Sequence, residues 1–318
     1  MLKKSFILLG ALFFSLNMFS QTLDDAGSKY NTGNEQYTAK AYADAVTSYE
    51  SALEICKKVG PDGDVLKLNI QKQLNNAYYK NGLTLYKGKN FDEAIAQLEK
   101  SAKLAEKLGD TEKQQKSTMY VGKIHTTSGQ VLLKKDKPDM AIEEFIKALK
   151  INPKDYKTYL GLALAYKDKG DLHSMLQNAD KTISLTEGKA KAAKYSDKAK
   201  KLAATELFNT GALEIKNDPA QAVIHLTHSL DYTEPSANTY YYLSIANNSL
   251  KNYNDAIENS NKALELKEGD KSDIYFQLGQ AQEGSGDTAA ACDSYKKVTS
   301  GNNVESAKYK IDVEFKCR

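Results

Sequence analysis

The sequence predicts an all-α chain built as a row of helical hairpins, and three observations carry that prediction. A unit reading Tyr/Phe-x-x-Ala-Ile-x-x-Tyr/Phe-x-x-Ala-Leu returns along the chain, most legibly within 237–268. A small residue recurs at the same point of most copies, where two helices cross closely only if no bulk separates their backbones. No alternating apolar run bounded by turns reads as a strand, and the 318 residues include only five prolines. With that recurring point as marker, Ala45, Ala94, Ala141, Met175, Ala222, Ala256 and Ala291 follow one another at intervals of 49, 47, 34, 47, 34 and 35 residues.

In the first copy the marker is accompanied by Gly33 and Ala52, in the second by Gly82 and Ser101, and in the third by Gly129 and Ala148 with Asn152-Pro153 after them. The fourth and fifth copies are degenerate, with Met175 and Thr182 in one and Thr210 and Ser229 in the other. The sixth keeps Ala256 and Ala263 but has Ser244 where glycine is usual, and the seventh has Gly279, Ala291 and Val298 with one extra residue. This set resembles the tetratricopeptide repeat, a helix–turn–helix unit with small residues at its eighth, twentieth and twenty-seventh places. The resemblance covers roughly residues 26–300. It implies a right-handed superhelix of about seven hairpins over 21–301, closed by a capping helix over 302–318. In that last helix Val304, Ala307, Ile311 and either Phe315 or Val313 are expected to face inward.

The three long intervals call for added helix rather than added loop. Four turns take ~14.4 residues, so two extra turns on each of two neighbouring helices lengthen a hairpin without rotating its apolar face. Residues 64–87 and 189–216 accordingly have apolar or small residues at helical spacing and no internal proline. Short turns at Gly60-Pro61-Asp62-Gly63, Gly109-Asp110 and Glu187-Gly188 separate the lengthened elements.

Ahead of the repeats, Met1-Leu2-Lys3-Lys4, the apolar stretch from Phe6 to Leu16 and Phe19-Ser20-Gln21 have the pattern of a secretory signal peptide over 1–20. The apolar run is short of the ~20 residues a membrane span needs, and no cysteine lies near the expected cut. A periplasmic or secreted protein, beginning near Gln21 and without a lipid anchor, is the expectation. Losing Lys3 and Lys4 leaves 42 basic against 41 acidic residues, a formal charge of +1 and no case for nucleic acid. The lysine-rich stretch 189–201 reads as a solvated helix face, with a site for an anionic partner as the alternative.

Cysteines and histidines suggest no chemistry. If 287–299 and 303–316 pair as a hairpin, Cys292 faces residue 310 or 311, and Cys317 lies about six residues beyond, roughly 9 Å away. That exceeds disulfide reach unless the tail folds back. Cys56 reads as a small core residue. His225 and His228 share a helical face, yet no further ligand accompanies them in sequence, and His125 and His173 lack a partner motif. No enzyme, metal site or cofactor is expected.

Binding remains. In the resembled family the fifth, ninth and twelfth places of each first helix line a concave groove. Those places include Tyr30, Asn34 and Tyr37 in the first copy and Tyr79, Leu83 and Tyr86 in the second, with Thr126, Leu160, Leu207, Tyr241 and Phe276 at later fifth places. Four tyrosines on two neighbouring helices suit a recognition surface, or else they only fill the tight inner radius. The basic clamp by which some relatives grip a C-terminal carboxylate does not carry over: Asn34 fits, but Tyr30 and Lys80 stand where lysine and asparagine belong. The expected function is a non-catalytic scaffold of the cell envelope. Its partner would be a segment of another exported protein, held at Tyr30, Asn34, Tyr37, Tyr79, Leu83 and Tyr86, or toward the far end at Tyr241 and Phe276. Carbohydrate binding at the cell surface is the alternative.

Overall fold

A computed structural model describes residues 22–317; the expected signal peptide and the start at Gln21 lie outside them. The described residues form seven helical hairpins and a short last helix. The hairpins are α1 (Leu23–Thr38) with α2 (Tyr42–Val59), α3 (Asp64–Lys87) with α4 (Phe91–Lys107), α5 (Thr111–Leu133) with α6 (Pro138–Ile151), and α7 (Tyr156–Asp168) with α8 (Leu172–Thr186). They continue as α9 (Ala193–Glu214) with α10 (Pro219–Ser229), α11 (Ala237–Ser249) with α12 (Tyr253–Leu266), and α13 (Ser272–Gly284) with α14 (Thr288–Tyr295), before α15 (Val304–Tyr309). The chain divides into two compact units, one ending at Ile124 and the other beginning at His125 within α5. No described helix is long and apolar enough to cross a membrane.

Helix starts follow from local chemistry. Thr22 and Asp25 form a capping box at α1, and the side chains of Asp155, Asp171, Asp218, Ser236 and Asp287 accept the first free N–H groups of α7, α8, α10, α11 and α14. Pro138 and Pro219 open α6 and α10, where no N–H is needed.

All seven marker residues are fully buried, Met175 included. Each hairpin sets the eighth place of its first helix, always a small residue, near the side chain four residues beyond the marker. Gly33, Gly129 and Gly279 lie under the rings of Tyr49, Phe145 and Tyr295; an added Cβ would stand 2.6, 2.5 and 2.7 Å from ring carbons. Gly82 lies under Leu98, Ala163 and Ala179 are both fully buried in one cluster, and Ser244 and Ser260 bring their hydroxyls to 2.6 Å. Ser101 departs from the usual alanine because its hydroxyl donates to Asn75 Oδ1 at 2.7 Å and accepts from Ser117 at 3.0 Å, a buried polar chain through α3, α4 and α5.

The fifth hairpin corrects the sequence register by one residue. Gly211, not Thr210, takes the crossing place: its added Cβ would meet Leu226 Cγ at 2.8 Å and the Ala222 carbonyl at 3.1 Å, as Gly82 meets Leu98 Cγ at 2.7 Å and the Ala94 carbonyl at 3.2 Å. The cause is the turn. Six hairpins turn through a residue in the left-handed region, namely Lys40, Lys89, Asp136, Gly170, Lys251 or Gly286, whereas none of residues 215–218 adopts it and the loop is one residue shorter. Leu207, assigned from spacing to a fifth place, is consequently fully buried, and Phe208 occupies that place.

The long intervals are helix, as expected, but the added turns are unevenly shared. First helices α3, α5 and α9 have 24, 23 and 22 residues against 13 in α7, α11 and α13. The second helices before them, α2, α4 and α8, have 18, 17 and 15 against 14 in α6 and α12. The extra turns at the start of α3 bury Ile70 and Leu74 and leave Val65 79% exposed.

The C-terminal tail overturns the cysteine argument. After α15 the backbone widens into a π-helical turn over Lys310–Glu314, Lys316 turns left-handed, and Cys317 N–H donates to the Ile311 carbonyl at 2.8 Å. The chain thereby doubles back, which is the condition the simple hairpin lacked, and Cys292 and Cys317 are disulfide-bonded with Cα atoms 5.8 Å apart. Val304, Ala307, Ile311 and Phe315 face inward; Phe315 stacks on Tyr295 with ring centroids 6.4 Å apart, while Val313 points outward.

Candidate functional site

In the unit ending at Ile124, Tyr30, Tyr37, Tyr79 and Tyr86 are half-buried, each with an aromatic neighbour. Tyr30 packs on Tyr49 with centroids 5.9 Å apart, Tyr37 meets Tyr42 edge-on at 5.3 Å, Tyr79 meets Tyr120 edge-on at 5.9 Å, and Tyr86 lies 6.3 Å from Phe91. Lys113 stands over Tyr79 at 5.8 Å and Lys123 over Tyr86 at 5.9 Å. Burial raises the phenols of Tyr37 and Tyr79, which therefore stay protonated as donors at neutral pH. Asn34 has a packing duty, because its Oδ1 accepts the hydroxyl of buried Tyr49 at 2.7 Å. Leu83 is half-buried on the same face as Tyr86, one turn away. The structure thus leaves these side chains both packed and partly presented.

In the unit beginning at His125, the first-helix face opens into cavities. Leu160, Leu164 and Lys167, the fifth, ninth and twelfth places of α7, line a 300 Å³ cavity with Lys198, Lys201 and Leu202 of α9. At Lys201 and Thr205 it adjoins a 560 Å³ cavity walled by Phe208, Tyr232 and Thr239. Ile245 and Gln280, ninth places of α11 and α13, line a 310 Å³ cavity with Asn248 and Gln277, and Tyr241 lines a smaller one of 230 Å³ with Asp270 and Asp273. Phe276 instead packs inward against Tyr295 at 5.8 Å. Thr126 is also turned inward, sharing a hydrogen bond with Thr158 at 2.7 Å. Phe208 was missed from sequence, the glycine at 211, one place late, being the available signal for it; the lysines of α9 were read as a solvated face.

The histidines do not gather ligands. His225 pairs with Glu214 of α9 at 2.7 Å, but His228 faces Asp231 of its own chain segment at 3.9 Å. Among the described residues no three His, Cys, Asp or Glu side chains group as a metal site would require. Cys56 is buried, and burial pushes its thiol up, away from the reactive thiolate.

A tetratricopeptide-repeat family model matches residues 122–155 and 272–300. Those two stretches are tetratricopeptide repeats. It is 28% identical over 137 residues to the inactive peptidyl-prolyl cis-trans isomerase shutdown of Bombyx mori, a match covering 43% of this chain and 29% of that protein. It is 26% identical over 176 residues to the Hsp70-Hsp90 organizing protein of Triticum aestivum, covering 55% of this chain and 28% of that protein. The chain therefore spans under a third of the length of these curated relatives. Among solved structures, the tetratricopeptide chain is similar to the crystal structure of MamA at 23% identity and a TM-score of 0.37, over 61% of this chain and 95% of that one.

Proposed function

We propose that this tetratricopeptide-repeat chain is a non-catalytic interaction scaffold of the cell envelope, which holds an extended or helical segment of another exported protein on its first-helix face. The observation that carries the reading is the opening of the fifth, ninth and twelfth places of α7 and the ninth places of α11 and α13 into cavities. In the other unit, half-exposed Tyr30, Tyr37, Tyr79 and Tyr86 stand at the corresponding first-helix places, with ring area and polar tips suited to anchoring a segment. Export is supported by the N-terminal pattern over 1–20 and by the Cys292–Cys317 disulfide, since such bonds persist in oxidising compartments.

Two measurements test this reading. Intact-mass analysis of the exported protein should find a start within a few residues of Gln21; Met1 on the soluble species would overturn export. A Tyr79→Ala, Tyr86→Ala variant should lose partner recovery, because truncating an interface anchor costs about 2 kcal/mol or more. Circular dichroism on the same variant separates lost binding from lost fold, and native melting with undiminished recovery would remove the tyrosine face from the site.

A further inference from the structure

The lysine-rich start of α9 does more than solvate a helix. Of the thirteen residues 189–201, six are lysine and one is aspartate, and the first turn of α9 holds no acidic residue, although a helix N-terminus favours negative charge. Lys198 and Lys201 form no ion pair among the described residues, and Lys167 of α7 has only its chain neighbour Asp168, at 3.8 Å. All three border the same 300 Å³ cavity, whose floor is Leu160, Leu164 and Leu202. Leu164 remains 39% exposed there. An apolar lining beside three cations that outnumber the one carboxylate there, Glu206, is an arrangement that folding alone disfavours and that a matching ligand satisfies.

Resting on the scaffold reading above, we propose that the groove between α7 and α9 selects the partner, and that it takes a peptide segment in which an acidic residue neighbours a leucine-like one. The leucines receive the apolar side chain, and Lys198 and Lys201 the carboxylate. A polyanion fits less well for two reasons. Arg318 is the chain's sole arginine, so the planar forks that grip phosphate are absent from the groove. Glu206 also lines the cavity, where a dense row of phosphates would meet it. Beyond Lys201 and Thr205 the adjoining 560 Å³ cavity, walled by Phe208 and Tyr232, gives the segment room to continue.

The test is a selection of random dodecapeptides displayed on phage against the full mature chain, run in parallel on Lys198→Glu/Lys201→Glu and on Leu164→Gln. These side chains are exposed, so each variant should melt with the wild type. The expected result is enrichment of acidic residues beside Leu, Ile or Phe, with the selected peptides binding about tenfold more weakly to the charge-reversed variant and several-fold more weakly to Leu164→Gln. Peptides that lack acid, or that bind the charge-reversed variant undiminished, overturn the proposal; if these same peptides are lost on Tyr79→Ala/Tyr86→Ala, the scaffold reading stands without it. No enrichment on any version overturns both. Tighter binding of a single-stranded oligonucleotide that depends on Lys198 and Lys201 but not on Leu164 makes the groove a polyanion site and also overturns the proposal.

Discussion

The third and sixth hairpins close at the same place by opposite means. In the third, the ring of Phe145 is held between two glycines, Gly129 of its own hairpin and Gly161 of the next, with an added Cβ at either standing 2.5 Å from the ring. In the sixth, two serines meet through a hydrogen bond of 2.6 Å between hydroxyls that are buried. The crossing geometry is common to both; what differs is whether volume or a polar pair fills it. The contrast teaches that the crossing place fixes neither identity: a ring is admitted where glycine faces it, and a small polar pair where both partners are serine.

The largest effect expected is at Phe145. Truncation to alanine leaves a cavity between two glycines that have no side chains to fill it, at about 3–5 kcal/mol, read by chemical denaturation. Gly129→Ala should follow: helix propensity favours alanine by ~1 kcal/mol, but the ring cannot retreat because Gly161 backs it, and overpacking of about 1–3 kcal/mol prevails. A variant as stable as the wild type would show that the ring is free to shift.

In the sixth hairpin the single change Ser244→Ala should cost about 1 kcal/mol by stranding the Ser260 hydroxyl, while the double change to alanine should be close to neutral. A double-mutant cycle reads the difference, and additive losses would remove the polar pair as the reason for serine. The hairpin turns sharpen the contrast further. Lys251 sits at φ 62 in the sixth hairpin and Asp136 at φ 56 in the third. Lys251→Gly should stabilise by about 0.5–1 kcal/mol and Asp136→Gly by less, since aspartate tolerates the left-handed region better than lysine does.

The smallest effect separates the two hairpins by pH. In the third, His125 Nδ1 lies 2.9 Å from Glu144 and Lys147 Nζ 2.7 Å from it. Burial alone would raise the Glu144 carboxyl, but the hydrogen bonds from His125 and Lys147 outweigh it and hold the group below its ordinary value of 4.5. A carboxyl lowered in the folded state contributes stability that is present above the unfolded value, near pH 4.5, and is lost as pH falls through the folded value. Glu144→Gln should flatten part of the decline in melting temperature below that pH. The sixth hairpin has Asn259 at the corresponding place, and Asn259→Ala should leave the acid limb unchanged.

Class, hairpin count, marker positions and helical inserts were all legible in the sequence, because they depend on local periodicity and on small residues where backbones meet. Site residues were legible only as places on a helix: spacing put Tyr79 and Leu160 at fifth places, whereas Phe208 was hidden by a loop one residue short. Spacing counts residues along the chain and is blind to a turn that omits its left-handed residue. The same blindness applied to the tail, where a π-helical turn and a reversal at Lys316 bring Cys317 to Cys292 across a distance that a regular helix would not close. The lysines of 189–201 looked like a solvated face because charge alone is visible in sequence. That Lys198 and Lys201 share a cavity with Leu160, Leu164 and Leu202 depends on which helix packs beside α9. The sequence by itself therefore determined the repeat and its helices through short-range spacing and volume; only tertiary packing, which joins side chains far apart in the chain, decided the register of the fifth hairpin, the disulfide and the cavities.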